Sequence, residues 1–349
     1  MANDSPKHIL VARTDKVGDL LLSLPTFQAL RKAFPAARLT ALVSPYAREI
    51  VQNHPAVDAV ELHEKGESLW GLAKRLKVLA PDVFIALYPR PLQIAAAWMA
   101  GIPVRIGTAY RWYSFFLNHK VRVHRSNCDR HEVEYNLDLL KPLGVAGSAE
   151  KIEFHLTQEE RAFARDLLKE KGIKPKDHYV VVHSGHKGSA LNWKPERYAQ
   201  AVDRLCRMKG LKVVMTGGAD ETQLVSRVTA HLSGLGPDQR PVLLIGECTL
   251  RQLAAVYEGA DCFLSGSTGT MHLAAAVGTP TVSLFCPIPQ TTPVRWGPWG
   301  NPSTVLMPQN LKCPDCLVGA CRRHDPMDAI TLDEVFEAIQ KYMKKVGLR

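Results

Sequence analysis

The sequence predicts an α/β protein built from two doubly wound, parallel-sheet domains. The first observation is a strand, polar loop, helix and strand that follow one another over residues 9–43. The second is that the same order begins again at residue 179. The third is a complete βαβ unit at 261–287, DCFLSGSTGTMHLAAAVGTPTVSLFCP. A length of 349 residues is sufficient for two such domains.

Apolar runs bounded by turn residues predict the individual elements. In the first half we expect strands at 9–12, 39–43, 83–87 and 104–107, and helices at 20–34, 130–143 and 157–172. In the second half we expect strands at 179–182, 213–216, 242–245, 262–264 and 281–285, and helices at 271–277 and 331–343. A polar segment with Gly and Pro follows the helix at 157–172, so we place the domains at 1–172 and 177–349.

The composition restricts the class of partner. The chain has 44 Lys and Arg against 34 Asp and Glu, a formal charge of +10, which favours nucleic acid, anionic lipid headgroups or a phosphorylated substrate. The basic residues are scattered and aromatic residues make up only 7%, so nucleic acid is not expected. We find no run near the roughly 20 apolar residues of a spanning helix and no export signal. Eight irregularly spaced cysteines fit a reducing cytoplasm.

The loop after the first strand carries the candidate catalytic group. Ligands of doubly wound sheets bind at the carboxyl ends of the strands, and Asp19 lies there, in the first turn of a helix. Its carboxylate can act as a general base, or it can only complement the helix dipole. From position alone, the dipole role is somewhat favoured.

Four side chains of the first domain are candidates for contacts with an anionic acceptor. Arg90 follows a predicted strand and can clamp a phosphate or carboxylate, although an ordinary surface arginine is the commoner case. Arg111 belongs to a basic and aromatic segment that can rest on an anionic glycolipid or form a partly ordered loop. His131 opens a helix, on a face that either lines a site or is solvated. Lys16 lies in the first loop.

Loops of the second domain are candidates for binding phosphate groups and sugar hydroxyls. The loop at 265–270 leads into a helix N-terminus, where backbone N–H groups can hold a phosphate or sugar hydroxyl, although an ordinary capped connection has the same features. The loop at 183–189 can bind a diphosphate, and an acid after a strand can accept hydrogen bonds from ribose hydroxyls. The candidate ligand contacts in and beside these loops are Ser184, Lys187, Lys194, Glu221, Ser267, Thr268, Gly269 and His272.

Two nucleotide-binding motifs are absent, and one metal motif is incomplete. The chain has no GxxxxGK[ST] loop and no GxGxxG after the first strand of either half, so a dinucleotide dehydrogenase is not expected. Cys313, Cys316 and Cys321, with His324 nearby, can bind zinc or form a reduced surface knuckle without metal.

Six segments resemble one protein family. They are ILVARTDKVGDLLLSLPTFQALRKAFP, VRIGTAYRW, HEVEYNLDLLKPLGV, NWKPERYA, STGTMHLAAAVGTPTVSLF and RWGPWG, in this order over nearly the whole chain. The chain thus resembles glycosyltransferase family 9, the heptosyltransferases of lipopolysaccharide core assembly. The resemblance implies a GT-B fold of two Rossmann-like doubly wound domains facing across a cleft, with the acceptor in the first and the nucleotide-sugar donor in the second.

The resemblance also implies a reaction. It is an inverting transfer of heptose from ADP-heptose, without a catalytic metal or cofactor, to an anionic glycolipid acceptor. The enzyme is expected in the cytoplasm, in peripheral contact with the inner face of the cytoplasmic membrane.

Matching residues receive roles from the resemblance. Asp19 matches the family's proposed base, and Gly269 and His272 match the loop near the donor phosphates. Two positions depart from the pattern, since Ser267 replaces an acid and Leu191 replaces a lysine for which Lys187 or Lys194 would have to substitute. These departures leave two alternatives open, a non-catalytic binder of nucleotide sugar or anionic glycan, and a family member that uses another nucleotide sugar.

Overall fold

The computed structural model of the chain describes residues 5–149, 151–186, 188, 190–232, 234–309 and 325–344. The chain forms two compact units, Met1–His155 and Leu156–Arg349. Each unit contains one six-stranded parallel sheet, so the predicted fold class is confirmed. Within the described ranges, no helix is both long and apolar enough to cross a bilayer.

The first unit has the strand order β3-β2-β1-β4-β5-β6. Its strands are β1 (His8–Arg13), β2 (Arg38–Val43), β3 (Ala59–Leu62), β4 (Val83–Ala86), β5 (Val104–Thr108) and β6 (His119–Val121). Its helices are α1 (Val17–Leu21), α2 (Leu24–Ala33), α3 (Arg48–Val51), α4 (Leu69–Leu79), α5 (Pro91–Met99) and α6 (Glu132–Asp138), with a 3-10 helix at Trp112–Phe116. The strand order reverses between β1 and β4, so the carboxyl ends of these paired strands mark the expected ligand position.

The second unit repeats this order as β12-β11-β10-β7-β8-β9. Its strands are β7 (His178–His183), β8 (Leu211–Gly217), β9 (Val242–Ile245), β10 (Cys262–Gly266), β11 (Thr281–Leu284) and β12 (Ser303–Leu306). Its helices are α7 (Gln158–Glu170), α8 (Pro195–Cys206), α9 (Thr222–Ala230), α10 (Leu250–Glu258), α11 (Gly269–Ala276), α12 (Pro293–Trp296) and α13 (Leu332–Met343). The order reverses between β7 and β10, which are paired in parallel.

The single helix predicted at 20–34 is wrong, because two helices occupy this segment. The first helix ends at Leu21, and Pro25 lies in the first turn of α2. Proline has no backbone N–H to bond to the preceding turn, so a continuous helix is disfavoured there. The side-chain amide of Asn136 donates instead to the carbonyl of Leu22 (3.2 Å) and to the hydroxyl of Ser23 (3.3 Å), which satisfies the break.

The two units divide between His155 and Leu156, which differs from the predicted linker at 172–177. The reason is that α7 packs against α10 of the second unit. Arg161 forms an ion pair with Glu258 at 2.7 Å, and Arg251 pairs with Glu160. Helix α7 therefore belongs to the second unit, although its amphipathic pattern and its Thr157 N-cap are as predicted.

We expect Arg251→Gln to destabilise the second unit by about 2–4 kcal/mol, because it leaves the largely buried Glu160 carboxylate without its guanidinium. Adding Glu160→Gln should recover part of this loss, since a neutral pair has no unpaired charge and a glutamine at 160 can still accept from the Thr157 N–H. Urea unfolding of the two variants measures both effects. A double variant less stable than Arg251→Gln would contradict the role of the ion pair.

Candidate functional site

The most highly charged site of the first unit lies at the carboxyl end of β1, around Arg13. Its side chain is only 2% exposed and contacts three carboxylates. Nε donates to Asp15 (2.7 Å), Nη2 to Asp19 (2.5 Å) and Nη1 to Glu132 (3.1 Å). Burial acts to lower the pKa of Arg13, but the three carboxylates outweigh it and raise the pKa above the usual range. The guanidinium is therefore a fixed positive charge that sets the position of all three carboxylates.

Helix α6 supplies the opposite side of this cluster. Arg125 donates to Glu132 at 3.1 Å and to Asn136 at 2.9 Å. Asn136 also accepts from Arg13 at 3.2 Å. We call Arg13, Arg125, Asp15, Asp19 and Glu132 the charge cluster. Because α6 is distant in sequence from β1, only the tertiary structure brings these groups together.

The carboxyl group of Asp19 lies at the edge of the cluster and keeps 16% of its exposure. Burial raises the pKa of Asp19 to about 7; Arg13 opposes this shift, whereas the negative charges of Asp15 and Glu132 add to it. The cluster contains three carboxylates and two guanidinium groups, so one negative charge is not compensated. A carboxyl group with a pKa near neutral pH, with access to solvent, is suited to accept a proton from a substrate hydroxyl.

Two of the predicted acceptor contacts lie beside the charge cluster. Lys16 is exposed and immediately precedes α1. The guanidinium of Arg90 lies over the ring of Tyr88, 4.8 Å from its centroid, and Arg13 lies 5.8 Å from the same centroid. Arg13, Lys16 and Arg90 thus lie near the carboxyl ends of β1 and β4, where the strand order reverses.

The other two predicted contacts differ in their surroundings. Arg111 is exposed after β5, and the neighbouring Tyr113 hydroxyl donates to the carbonyl of Pro89 at 2.5 Å, which ties this segment to the Arg90 loop. His131 is buried and is the N-cap of α6, where its Nδ1 accepts from the Val133 N–H at 3.3 Å. This capping contact accounts for the position of His131 without any ligand.

The second unit has a corresponding site at the ends of β7 and β10. Two glycines allow side chains to lie against the backbone there. A Cβ atom at Gly185 would lie 1.9 Å from a carboxylate oxygen of Glu221, and one at Gly266 would lie 2.4 Å from the side-chain oxygen of Asn192. Neither position can hold a larger residue without displacing the neighbouring side chain.

Asn192 connects the two loops and was not among the predicted site residues. Its side-chain amide donates to the carbonyl of Ser184 (3.1 Å) and accepts from the Tyr198 hydroxyl (2.8 Å) and the Trp193 N–H (2.9 Å). Its contact with Gly266 brings the end of β10 against the loop that follows β7. The only sequence feature that could have indicated Asn192 is its place in the Asn-Trp dipeptide shortly before Pro195, the first residue of α8.

The predicted donor contacts after β7 and β10 lie on adjacent strand ends. The Ser184 hydroxyl is buried and has no hydrogen-bond partner within the part of the chain that the structure describes. The Thr268 hydroxyl bonds to Thr270 at 2.8 Å and does not cap α11. Ser267 and Gly269 are partly exposed, whereas His272 is buried behind them. The N-terminus of α11 is thus not capped by the Thr268 side chain.

The three remaining predicted donor contacts are Glu221, Lys194 and Lys187. The Glu221 carboxylate accepts from the Gly218 N–H at 2.9 Å and lies 3.7 Å from His183, so part of its hydrogen-bonding capacity is used within its own turn. Lys194 is half exposed and pairs with Asp328 at 3.1 Å. Lys187 lies outside the described residues, and so does the cysteine motif at 313–324. Within the described ranges, no group of His, Cys, Asp or Glu is arranged to hold a metal ion.

Comparison with known proteins decides the family. The model of "Glycosyltransferase family 9 (heptosyltransferase)" matches residues 70–325, well over half of the chain. This protein belongs to glycosyltransferase family 9. Among its relatives is a Haemophilus influenzae protein described as an unproven glycosyltransferase, 29% identical over 83% of this chain and 85% of the relative. Another is lipopolysaccharide heptosyltransferase 3 of Escherichia coli K12, 27% identical over 81% and 82% of the two chains.

A solved structure shows the same fold for this glycosyltransferase. It is the ADP-heptose lipopolysaccharide heptosyltransferase II of E. coli, which aligns with a TM-score of 0.80 over 97% of this chain and 99% of that chain, at 20% identity. The two parallel sheets described above are thus the two Rossmann-like domains of the GT-B fold.

The raised pKa of Asp19 makes its contribution to the stability of the glycosyltransferase depend on pH. The carboxyl titrates near 3.8 when unfolded and at about 7 when folded. Its contribution is fully present below the unfolded pKa and is lost as the pH rises through about 7. We therefore expect Asp19→Asn to raise the thermal unfolding temperature at pH 8, with a gain that shrinks towards pH 4.

Asp58→Asn is a matched control with the opposite sign. Burial acts to raise the pKa of Asp58, but the Leu39 N–H and the Arg31 guanidinium hold it below the usual value. This carboxylate stabilises the fold above its unfolded pKa, so the variant should lose stability at pH 8 and lose less below pH 4. If Asp19→Asn raised the unfolding temperature by the same amount at pH 4 and at pH 8, an uncompensated negative charge on Asp19 in the folded protein would be ruled out.

Proposed function

We propose that this protein is an inverting, metal-independent glycosyltransferase that moves a heptose from ADP-heptose to a lipopolysaccharide core or related glycan. Membership of family 9 supports a glycosyl transfer. The names of the two E. coli relatives support heptose and lipopolysaccharide. The observation that carries the mechanism is the Asp19 carboxylate, held by buried Arg13 and having a pKa of about 7.

The proposed step is a single displacement at the anomeric carbon. Asp19 accepts the proton of the acceptor hydroxyl as its oxygen attacks the anomeric carbon, and the bond from that carbon to the diphosphate oxygen breaks. The proton ends on Asp19 and the electron pair on the leaving ADP. Arg13 remains charged throughout, so it keeps the carboxylate in place without competing for the proton.

The leaving diphosphate develops negative charge that the second domain has to stabilise. We propose that the backbone N–H groups at the start of α11, with Thr268 and Gly269, bind it. Ser184 adds a buried hydroxyl without a partner among the described residues. We assign Glu221, on the neighbouring strand end, to the ribose.

The acceptor is proposed to be an anionic glycolipid bound by Lys16, Arg90 and Arg111. Lys16 and Arg90 lie beside the charge cluster, and Arg111 precedes Tyr113, whose hydroxyl donates to the Arg90 loop. A lipid-linked acceptor places the enzyme in the cytoplasm, in peripheral contact with the inner face of the cytoplasmic membrane.

A second candidate is a non-catalytic binder of nucleotide sugar or anionic glycan. Ser267 and Leu191, which depart from the family pattern, favour it, and Lys194 is engaged by Asp328 rather than available for a phosphate. A family member using another nucleotide sugar is a further alternative with the same support. ADP release with ADP-heptose and a deacylated core acceptor separates the proposed enzyme from the binder, and a thermal-shift screen of nucleotide sugars identifies another donor.

Asp19→Asn should reduce turnover by roughly 10²- to 10⁴-fold if Asp19 is the general base. The thermal shift caused by the donor should be unchanged, since Asp19 lies in the other domain. Asp58→Asn, which changes an ion pair away from the charge cluster, should keep full turnover. A loss below about tenfold in a folded Asp19→Asn variant would remove the residue from the chemistry.

Glu132→Gln should move the acid limb of the kcat/KM profile to lower pH. The wild-type limb is expected near pH 7, the pKa of Asp19. The substitution removes one of the two negative charges that raise this pKa and leaves two guanidinium groups facing two carboxylates. Measuring kcat/KM between pH 5 and 9 tests this. An unshifted limb with reduced activity would mean that Glu132 acts only through the fold.

A further inference from the structure

Four aromatic rings on the first domain form a connected strip at the surface. Trp98 contacts Phe116 at 5.1 Å between ring centroids, Phe116 contacts Phe115 at 4.0 Å, and Phe115 contacts Trp112 at 6.4 Å. Trp98, Trp112 and Phe115 are 52%, 77% and 60% exposed. Single exposed rings are common, but a connected and exposed series marks a contact surface.

The strip belongs to one layer of the first domain. Helices α4 and α5 and the 3-10 helix at Trp112–Phe116 bury their inner faces together against the sheet. The outer face of α4 continues the same character, with Trp70 76% exposed and Val78 82% exposed. Lys74 and Lys77 lie on this face with them, at helical spacing. We call the exposed residues of this layer the aromatic face.

The charge of this segment is the second, independent observation. Residues 68–128 contain nine Lys and Arg and a single acid, a formal charge of +8, against +10 for the whole chain. The single acid, Asp82, accepts from the backbone N–H groups of Lys7 and His8, both at 2.8 Å, and so is turned towards β1. The nine cations are Lys74, Arg75, Lys77, Arg90, Arg105, Arg111, Lys120, Arg122 and Arg125.

Most of these cations are available to a partner. Arg75 pairs with Glu61 and Glu67, and Arg125 belongs to the charge cluster. The exposed members that have no ion pair with any described residue are Lys74, Lys77, Arg90, Arg111, Lys120 and Arg122. The near absence of acids means that an anionic surface would meet attraction over the whole segment and little repulsion.

We propose that the aromatic face docks on an anionic lipid bilayer, with its rings at the headgroup boundary and its lysine and arginine side chains on the lipid phosphates. Exposed tryptophan and phenylalanine flanked by basic residues have the chemistry of an interfacial anchor. A protein partner or a second copy of the chain would use the rings, but it would not require a segment almost free of acids. The inference rests on the membrane contact of the proposed function and assigns it to one surface.

This assignment places the bilayer close to the proposed acceptor site. The strip begins beside Arg111, and Tyr113 ties the same segment to the loop that carries Arg90. An acceptor held in the bilayer by its lipid would reach these cations from the docked side of the same domain.

Flotation of the full-length protein with lipid vesicles tests the proposal. We expect binding to vesicles of phosphatidylcholine with phosphatidylglycerol and little binding to phosphatidylcholine alone. Trp112→Ser with Phe115→Ser should reduce the partition coefficient about tenfold or more. Lys74→Glu with Lys77→Glu should also weaken binding, because each cation near an anionic surface contributes attraction.

Matched controls on the second domain separate docking from general changes in surface. Leu243→Ser with Val294→Ser removes exposed apolar groups there, and Lys176→Glu with Lys209→Glu removes exposed cations. Both should bind vesicles like the wild type, and all variants should keep the wild-type unfolding temperature. The vesicles contain no donor or acceptor, so inactivity towards ADP-heptose would refute the proposed function without affecting this result.

Three results would overturn the proposal. One is equal vesicle binding by the aromatic-face variants and the wild type. Another is equal binding to neutral and anionic vesicles. The third is a self-associated protein that ignores vesicles and becomes monomeric on Trp112→Ser with Phe115→Ser, which would assign the surface to a second copy of the chain.

Discussion

The first domain depends on one buried guanidinium. Arg13 ends the central strand of the sheet and binds carboxylates from its own loop, from α1 and from α6. Removing a charge from water is costly, so a buried arginine persists only where anionic partners surround it. Here the carboxylates outnumber the guanidinium groups, and the pKa of Asp19, the most exposed carboxyl group of the cluster, is raised to about 7. The same interaction that holds the loop in place thus also sets the protonation of the carboxyl group proposed to act as the base.

In the second domain, the uncharged side chain of Asn192 connects the loops of the candidate site. Asn192 contacts both strand-end loops through one amide, and the absence of a side chain at Gly266 allows its close approach to the end of β10. The described hydrogen bonds of the Asn192 amide go to uncharged groups, which suits a site proposed to receive a diphosphate from backbone N–H groups and hydroxyls. The two domains therefore share a strand order, and the groups that organise their strand-end loops differ.

Much of the fold was predictable because strands and helices follow from local patterns. The apolar runs at β1, β7 and β10 are buried on both faces, and their lengths are too short for helices. The capping pattern at Thr157 located α7 correctly. The break near Leu22 was missed because the apolar periodicity continues across it; Pro25 disfavours a continuous helix, and the amide of Asn136, far along the chain, satisfies the break. The domain division was misplaced since a capped helix shows no sign of which sheet it will join.

The sequence by itself determined two parallel-sheet domains, the family resemblance, the loop position of Asp19 and the near absence of acids between 68 and 128. These depend on residue order and composition, which are local properties. Only the tertiary structure decided that Arg13 and Glu132 surround Asp19 and that Trp98 and Trp112 belong to one surface strip. Each of these depends on the distance between segments that are not neighbours in the chain. The pKa of a carboxyl group likewise depends on the charges around it and on how far it is shielded from water.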